Sequence, residues 1–367
     1  MVNFLRSESR MVRHIASGIA LIATTSFLAC AHLGLGASQA SKKHLVTAEV
    51  RRDAIRRAQV WAPTSVTSMN LKAGPGGSGA LAPNQSVTCN YLNKNLGGHS
   101  PKFACVIPPD DELKVKYGRE NGEVFAEVAA SRLFWALGFY AERMYPIRVV
   151  CRGCPSNIKD TEFASIQRKI PGRDLEGAEV VGWAWPELDL VDSGAGGAPI
   201  AQRDALKLLA VFIQHTDSKP EQQRLICVGK ETKSSDGEPC AETIMMVHDL
   251  GQTFGSANLF NRNAVGSVNL SEWSHVSIWK DPQRCVANLP QSQTGTLENP
   301  VIREVGRKFL ADLLAQLTDH QLHDLFDVAR FPERTISNGS RELATVDDWV
   351  AAFAQKRDEI VNHTCPN

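Results

Sequence analysis

The chain reads as an α+β protein in two lobes, a small β-rich lobe followed by a larger helical one, stabilised by disulfides. Three observations predict this. Segments that read as strands concentrate in the first half and most of the long segments with helical spacing fall in the second, so the pattern is not one of alternating βαβ units. With 43% hydrophobic residues in 367, there is apolar material for one large domain or two lobes. Eight of the 9 cysteines follow residue 40, an even number that suits disulfide pairing in an oxidising compartment.

The first forty residues have the three-part layout of a secretory signal: Arg6, Arg10 and Arg13, then an apolar run (IASGIALIATTSFLAC), then Ala37-Ser38-Gln39-Ala40. The run is broken by Gly18, Thr24, Thr25 and Ser26 and is short for a bilayer core of about 30 Å. Export to a periplasmic or extracellular space is the expectation. Phe27-Leu28-Ala29-Cys30 is an imperfect lipoprotein cleavage box, so a lipid anchor at Cys30 is a minor alternative, as is a single membrane anchor.

Residues 41–90 combine a charged helical opening (HLVTAEVRRDAIRRAQVW) with a Gly/Pro-rich stretch, and read as an extension or linker. Residues 91–170 form the expected small lobe. There a loop around Gly97-Gly98-His99-Ser100 leads to a strand at 103–107. The turn Pro108-Pro109-Asp110-Asp111 and a strand at 113–117 complete a hairpin. Asn121-Gly122 interrupts the chain before a helix at 123–137, closed by Gly138, and further strands are expected at 145–151 and 163–168. Residues 171–367 form the expected helical lobe, with helices near 201–214, 300–317, 320–329 and 346–361 and a short strand at 243–247.

Eight thiols allow 105 pairings. The short loops favour Cys89 with Cys105 and Cys227 with Cys240, while Cys151-Arg-Gly-Cys154 has the spacing of a zinc half-site or redox motif. A second CxxC is lacking, so a structural bridge is expected there, with a thiol or metal protein as a minor alternative. Forty basic side chains balance forty acidic ones without a concentrated basic face, so no nucleic-acid partner is expected.

Two short motifs carry the chemistry. The helix near 201–214 delivers His215-Thr216-Asp217-Ser218-Lys219-Pro220-Glu221-Gln222, and the strand at 243–247 delivers Asp249-Leu250-Gly251. HTDSKPEQ is similar to the protein-kinase catalytic loop HRDLKPEN at His, Asp, Lys, Pro and Glu, and DLG is similar to DFG. Over roughly residues 91–317 the chain resembles the protein-kinase-like superfamily. It looks nearer to the atypical HipA-like and phosphoinositide-kinase-like branches, because no Ala-Pro-Glu follows Asp249 and no GxGxxG lies within residues 91–170.

The resemblance implies ATP with Mg2+ or Mn2+ and phosphoryl transfer to a hydroxyl-bearing acceptor, whether protein, lipid, sugar or small molecule. It makes Asp217 the group that accepts the hydroxyl proton and Lys219 the cation beside the phosphate. Asp249 and Gln222 become metal ligands. Lys116 and Glu127 become the strand lysine and helix glutamate that hold the nucleotide, with Lys114 and Glu123 as rivals on the same faces. Gly97, Gly98 and Ser100, with Lys102, occupy the place of the phosphate-covering loop, for which 74–79 is the rival stretch. Gln167-Arg168-Lys169 falls at the adenine hinge by order, and His215 braces the loop. Gln222 departs from the family's Asn, and this departure motivates an alternative, a catalytically silent nucleotide-binding or protein-interaction module.

Overall fold

The computed structural model describes residues 45–229, 240, 242–255, 268–290, 292, 295–335 and 343–366. The expected signal segment and Cys30 lie outside the described residues. The described chain is mixed α+β, and it is built from a helix α1 (Ala48–Arg56), a five-stranded closed barrel, a central helix and a helical layer.

The barrel strands are β1 (Gln85–Leu92), β2 (Lys102–Ile107), β3 (Asp111–Tyr117), β4 (Arg143–Arg152) and β5 (Ala164–Arg168), in the order β1-β2-β3-β5-β4. Parallel pairing of β1 with β4, from Gln85 opposite Ile147 to Asn90 opposite Arg152, closes the ring and removes both sheet edges. Alternate residues fill its interior, among them Val87, Phe103, Val115, Tyr145, Ile147 and Ile166. On β3 this alternation sends Leu113 and Val115 inward and so turns Lys114 and Lys116 to the opposite face.

Residues 45–92 differ from the expected linker. β1 belongs to the barrel, Ala58, Val60, Val66 and Leu71 are fully buried, and Gln59 and Trp61 form bridges to Ile244 and Phe139. The Gly/Pro-rich stretch is held by its backbone carbonyls. Arg132 donates to Leu71 O, Tyr145 to Pro75 O, Arg143 to Gly76 O and Ser78 O, and Arg168 to Gly79 O. Composition alone could not reveal this, because the ordering groups sit in other elements.

Helix α2 (Gly122–Leu137) is the centre of the packing. Every residue except Trp135 is buried, so the helix is covered on all sides, and its buried Glu123, Glu127 and Arg132 each need a partner. Asn121 accepts the Glu123 N–H at its start, and Gly138, at φ 85°, ends it. A Cβ at Gly138 would stand 2.1 Å from Ala62 O, so both the turn and the close approach need glycine.

Beyond the barrel, β6 (Arg173–Asp174), β7 (Gln223–Val228) and β8 (Glu242–Val247) form a small antiparallel sheet in the order β6-β7-β8. Helix α3 (Ile200–Phe212) is capped by Ile213 and followed by Gln214, whose φ is 54°. A short α4 (Leu270–His275) precedes the paired β9 (Trp279–Asp281) and β10 (Val286–Ala287). Then α5 (Glu304–Leu314), α6 (Asp319–Val328) and α7 (Val346–Val361) pack around Phe212, Phe254, Trp273, Phe326 and Trp349. The strand at β7 was not foreseen. No described helix is long and apolar enough to cross a membrane.

Four disulfides join Cys89 to Cys105, Cys151 to Cys154, Cys227 to Cys240 and Cys285 to Cys365. The first and third are the pairs expected from loop length, and Cys151 pairs within its own CxxC. Such a set is typical of extracellular proteins. The Cys285–Cys365 bridge spans 80 residues and ties the segment after α7 to β10. Replacing both of its cysteines by serine is expected to lower stability by about 3–5 kcal/mol in urea unfolding, a chain-entropy magnitude for a loop of this length.

Candidate active site

The site is assembled where β3, the first turns of α2 and the segment after β8 meet. Lys116, 2% exposed, faces α2 because its neighbour Val115 fills the barrel. Its Nζ donates to Glu123 Oε2 at 2.6 Å and to Glu127 Oε1, and lies 3.3 Å from Asp249 Oδ2. The two glutamates stand one helical turn apart and therefore share a face. Lys114, on the same side of β3, is left partly exposed.

Burial opposes the charge on Lys116, but Asp249, Glu127 and Glu123 outweigh it and hold the ammonium well above the ordinary lysine value. Burial also opposes ionisation of Asp249. The Lys116 ammonium, a hydrogen bond with Glu127 and the Gly251 N–H outweigh that too, and keep this carboxyl well below the usual range. Glu127 goes the other way, because burial dominates and raises it to about 8 against the pull of Lys116. Its Oε2 is buried without a hydrogen-bond partner.

The HTDSKPEQ loop follows the left-handed residue Gln214. Its end is bonded to the aspartate segment, for Gln222 O accepts the N–H groups of both His248 and Asp249 at 2.7 and 3.1 Å. Thr216 N–H donates to Gln252 O, and Phe254 N–H to Ile213 O. Asp217 Oδ2 accepts from Gln222 Nε2 at 2.7 Å, and Lys219 Nζ lies 3.2 Å from Asp217 Oδ1. His215 is fully buried, with neither ring nitrogen hydrogen-bonded. Burial lowers it to about 4, although the charges of Asp217 and Asp249 both pull upward. One buried ring thus feels both carboxylates.

The structure therefore brings Lys116, Glu127 and Asp249 into one cluster and links Asp217, Lys219 and Gln222 to it through the Gln222 backbone. Gly97 and Gly98 are exposed, and a side chain at Gly97 would meet nothing within 4 Å. Ser100 is buried and lies 3.4 Å from Lys102 Nζ, and Lys102 sits in register opposite Lys116. Burial and the charge of Lys116 lower Lys102, partly offset by Glu123 and Asp249, so this lysine faces the same cluster.

The rival stretch 74–79 is held instead by the arginine side chains described above. Of the three residues placed at the adenine hinge, Gln167 contacts His248 at 3.1 Å, whereas Arg168 is bound to Asp111 and Gly79 O. Glu123 is the residue that sequence reasoning undervalued. It was set against Glu127 as a rival, but both bind Lys116, and the E-x-x-x-E spacing is the signal that could have shown it.

No family model matches the chain, and no curated protein matches it. Among solved structures it is similar to one described as the crystal structure of a Helicobacter pylori proinflammatory kinase CtkA. The two share 11% identity at a TM-score of 0.42, covering 77% of this chain and 95% of that one.

Lys116→Ala leaves three carboxylates facing one another and is expected to cost about 3–5 kcal/mol in denaturant unfolding. Adding Glu123→Gln and Glu127→Gln should recover part of that loss. His215 binds a proton less readily folded than unfolded, so its contribution is complete above about pH 6.5 and is lost as pH falls towards 4. Across that window wild-type stability should drop by about 3 kcal/mol more than that of His215→Phe, measured by urea unfolding at each pH.

Proposed function

We propose that this chain is an exported, atypical kinase-like phosphotransferase of two lobes, the barrel with α2 as the small lobe and the α3–α7 region as the large one. ATP with Mg2+ or Mn2+ is the donor, and a hydroxyl on a protein, lipid or small molecule is the acceptor. The observation that carries this reading is the convergence on Asp249. One side of that residue meets a buried strand lysine and its helix glutamate, and its backbone is bonded to the loop that presents Asp217. Phosphoryl transfer demands this set of groups, namely a cation for the donor phosphates, a metal-holding carboxylate and a proton acceptor at the nucleophile.

In this reading Lys116 binds the donor phosphates while Glu127 fixes its direction. Gly97, Gly98 and Ser100 cover the phosphates with Lys102. Asp217 takes the proton of the acceptor hydroxyl as its oxygen attacks the terminal phosphorus. The bond to the bridging oxygen then breaks, and Lys219 offsets the charge. A divalent cation supplies Lewis-acid stabilisation of the phosphate oxygens when bound. The carboxylate donors of Asp249 and Glu123 beside Lys116 suit a hard cation of that kind. Asp249 would hold it, with the Gln222 carboxamide oxygen as the donor on the loop side. The disulfides favour an oxidising compartment, with Cys30 as the sole candidate for a lipid anchor, and the balanced charge favours no nucleic acid.

A second reading has a specific observation in its favour. Both oxygens of Asp217 are engaged, one by the Gln222 amide and one by Lys219, and a base so held is poorly placed to take a proton. That favours a silent nucleotide-binding or interaction module. The purified chain with Mg2+ or Mn2+ should convert ATP to ADP, and Asp249→Ala should lower the rate at least 100-fold, about 3 kcal/mol of barrier. Thermal stabilisation by ATP and Mn2+ without turnover would select the silent module. Equal turnover in wild type and Asp249→Ala would remove the kinase reading.

A further inference from the structure

We propose that His248 is a specificity-determining residue that reads the sugar hydroxyls of the nucleotide donor, with Glu142 as the residue that positions its ring. The inference rests on the nucleotide reading above. It adds which part of the donor this chain recognises and the side chains that do so.

A cavity of about 120 Å3 lies beside the phosphotransfer groups, and His248, Lys169, Glu221 and Arg224 are among the residues that line it. Pockets that hold a whole ligand run to roughly 300–1,000 Å3, so this one suits a single ring of a larger molecule. Chain continuity ties it to the phosphate end of the site. His248 directly precedes Asp249, and Glu221 directly precedes Gln222. A donor with its phosphates at Lys116 and Asp249 can therefore reach this cavity with its sugar.

The His248 ring is gripped on one nitrogen only. Nδ1 lies 3.3 Å from Glu142 Oε1 and 3.1 Å from Gln167 Nε2, while Nε2 has no hydrogen bond among the described residues. The Glu142 side chain is 1% exposed and is itself fixed, for Oε1 accepts from Arg224 and Oε2 accepts the Ile170 N–H at 2.6 Å. Holding one ring nitrogen sets the direction of the other. A hydroxyl both donates and accepts, so it meets Nε2 whichever nitrogen carries the proton.

The rest of the wall suits a diol as well. Glu221 and Lys169 are exposed and have no ion pair among the described residues, whereas Arg224 is already bound to Glu142 and Asp174. Backbone donors are scarce at this edge, because the Ile170 N–H is taken by Glu142 and Pro171 has none. Two vicinal hydroxyls can thus engage His248 Nε2 and the Glu221 carboxylate, and ribose is the part of a nucleotide that carries such a pair.

Calorimetric titration of the full chain, in Mn2+, with ATP and with 2′,3′-dideoxy-ATP tests this through the ratio of the two affinities. General damage to the site lowers both, whereas loss of the hydroxyl contacts lowers the first alone. Wild type is expected to bind ATP about tenfold or more tighter, since a site built around a hydroxyl rejects the analogue that lacks it. His248→Ala should bring the two affinities to within about twofold of each other. Glu142→Gln, which releases the ring, and Glu221→Gln, on the exposed rim, should each reduce the ratio. A ratio near one in wild type, or one that survives His248→Ala, overturns the inference while ATP turnover, if present, leaves the phosphotransferase reading standing. Failure of both nucleotides to bind removes the two together. A ratio that collapses in His248→Ala, in a chain that does not turn over ATP, supports the inference and selects the silent module.

Discussion

Keeping one ammonium ionised inside the protein is the constraint around which the rest is arranged. Lys116 cannot remain charged at 2% exposure unless carboxylates accompany it, and each of those is itself costly to bury. The three that do so come from the two first turns of α2 and from the turn after β8. Their convergence therefore fixes how the barrel, the central helix and the small sheet sit on one another. A buried ion pair of this sort is weak evidence for stability but strong evidence for a required arrangement, since any shift of one element leaves a charge without its partner.

Much of the barrel was legible because its signals are local. The 113–117 strand alternates with period two behind the turn at 108–111, and α2 is bounded by Asn121 and Gly138, both residues whose chemistry suits a helix end. β7 was missed because its apolar part, residues 225–228, is only four residues long, and periodicity cannot assign so brief a run to strand or helix. β1 was hidden for a different reason. Its parallel partner β4 is distant in sequence, and closure of a ring by such a pair leaves no local trace.

The site divides along the same line. Asp217 and Asp249 could be picked out because they stand in ordered motifs, and their shared connection through the Gln222 carbonyl follows from that order. The choice between Lys114 and Lys116 rested on which residue the helix covers, a matter of tertiary packing. Glu123 and Glu127 were posed as alternatives, although a helix turn places both within reach of a single cation. The error came from importing a one-lysine, one-glutamate template onto a chain that has one lysine and two.

The stretch from Leu71 to Gly79 holds a lesson about where shape is stored. Its anchors are carbonyl oxygens, which every amino acid possesses, and the guanidinium groups that grip them belong to α2, β4 and β5. The segment can therefore drift in spelling while its path persists, except at Gly74, Gly77 and Gly79, whose φ is positive, and at Gly74 a methyl would also stand 1.9 Å from the Arg132 guanidinium. Homologues of such a region would diverge beyond alignment long before they diverged in conformation, and the durable record of the loop would be three arginines elsewhere in the chain.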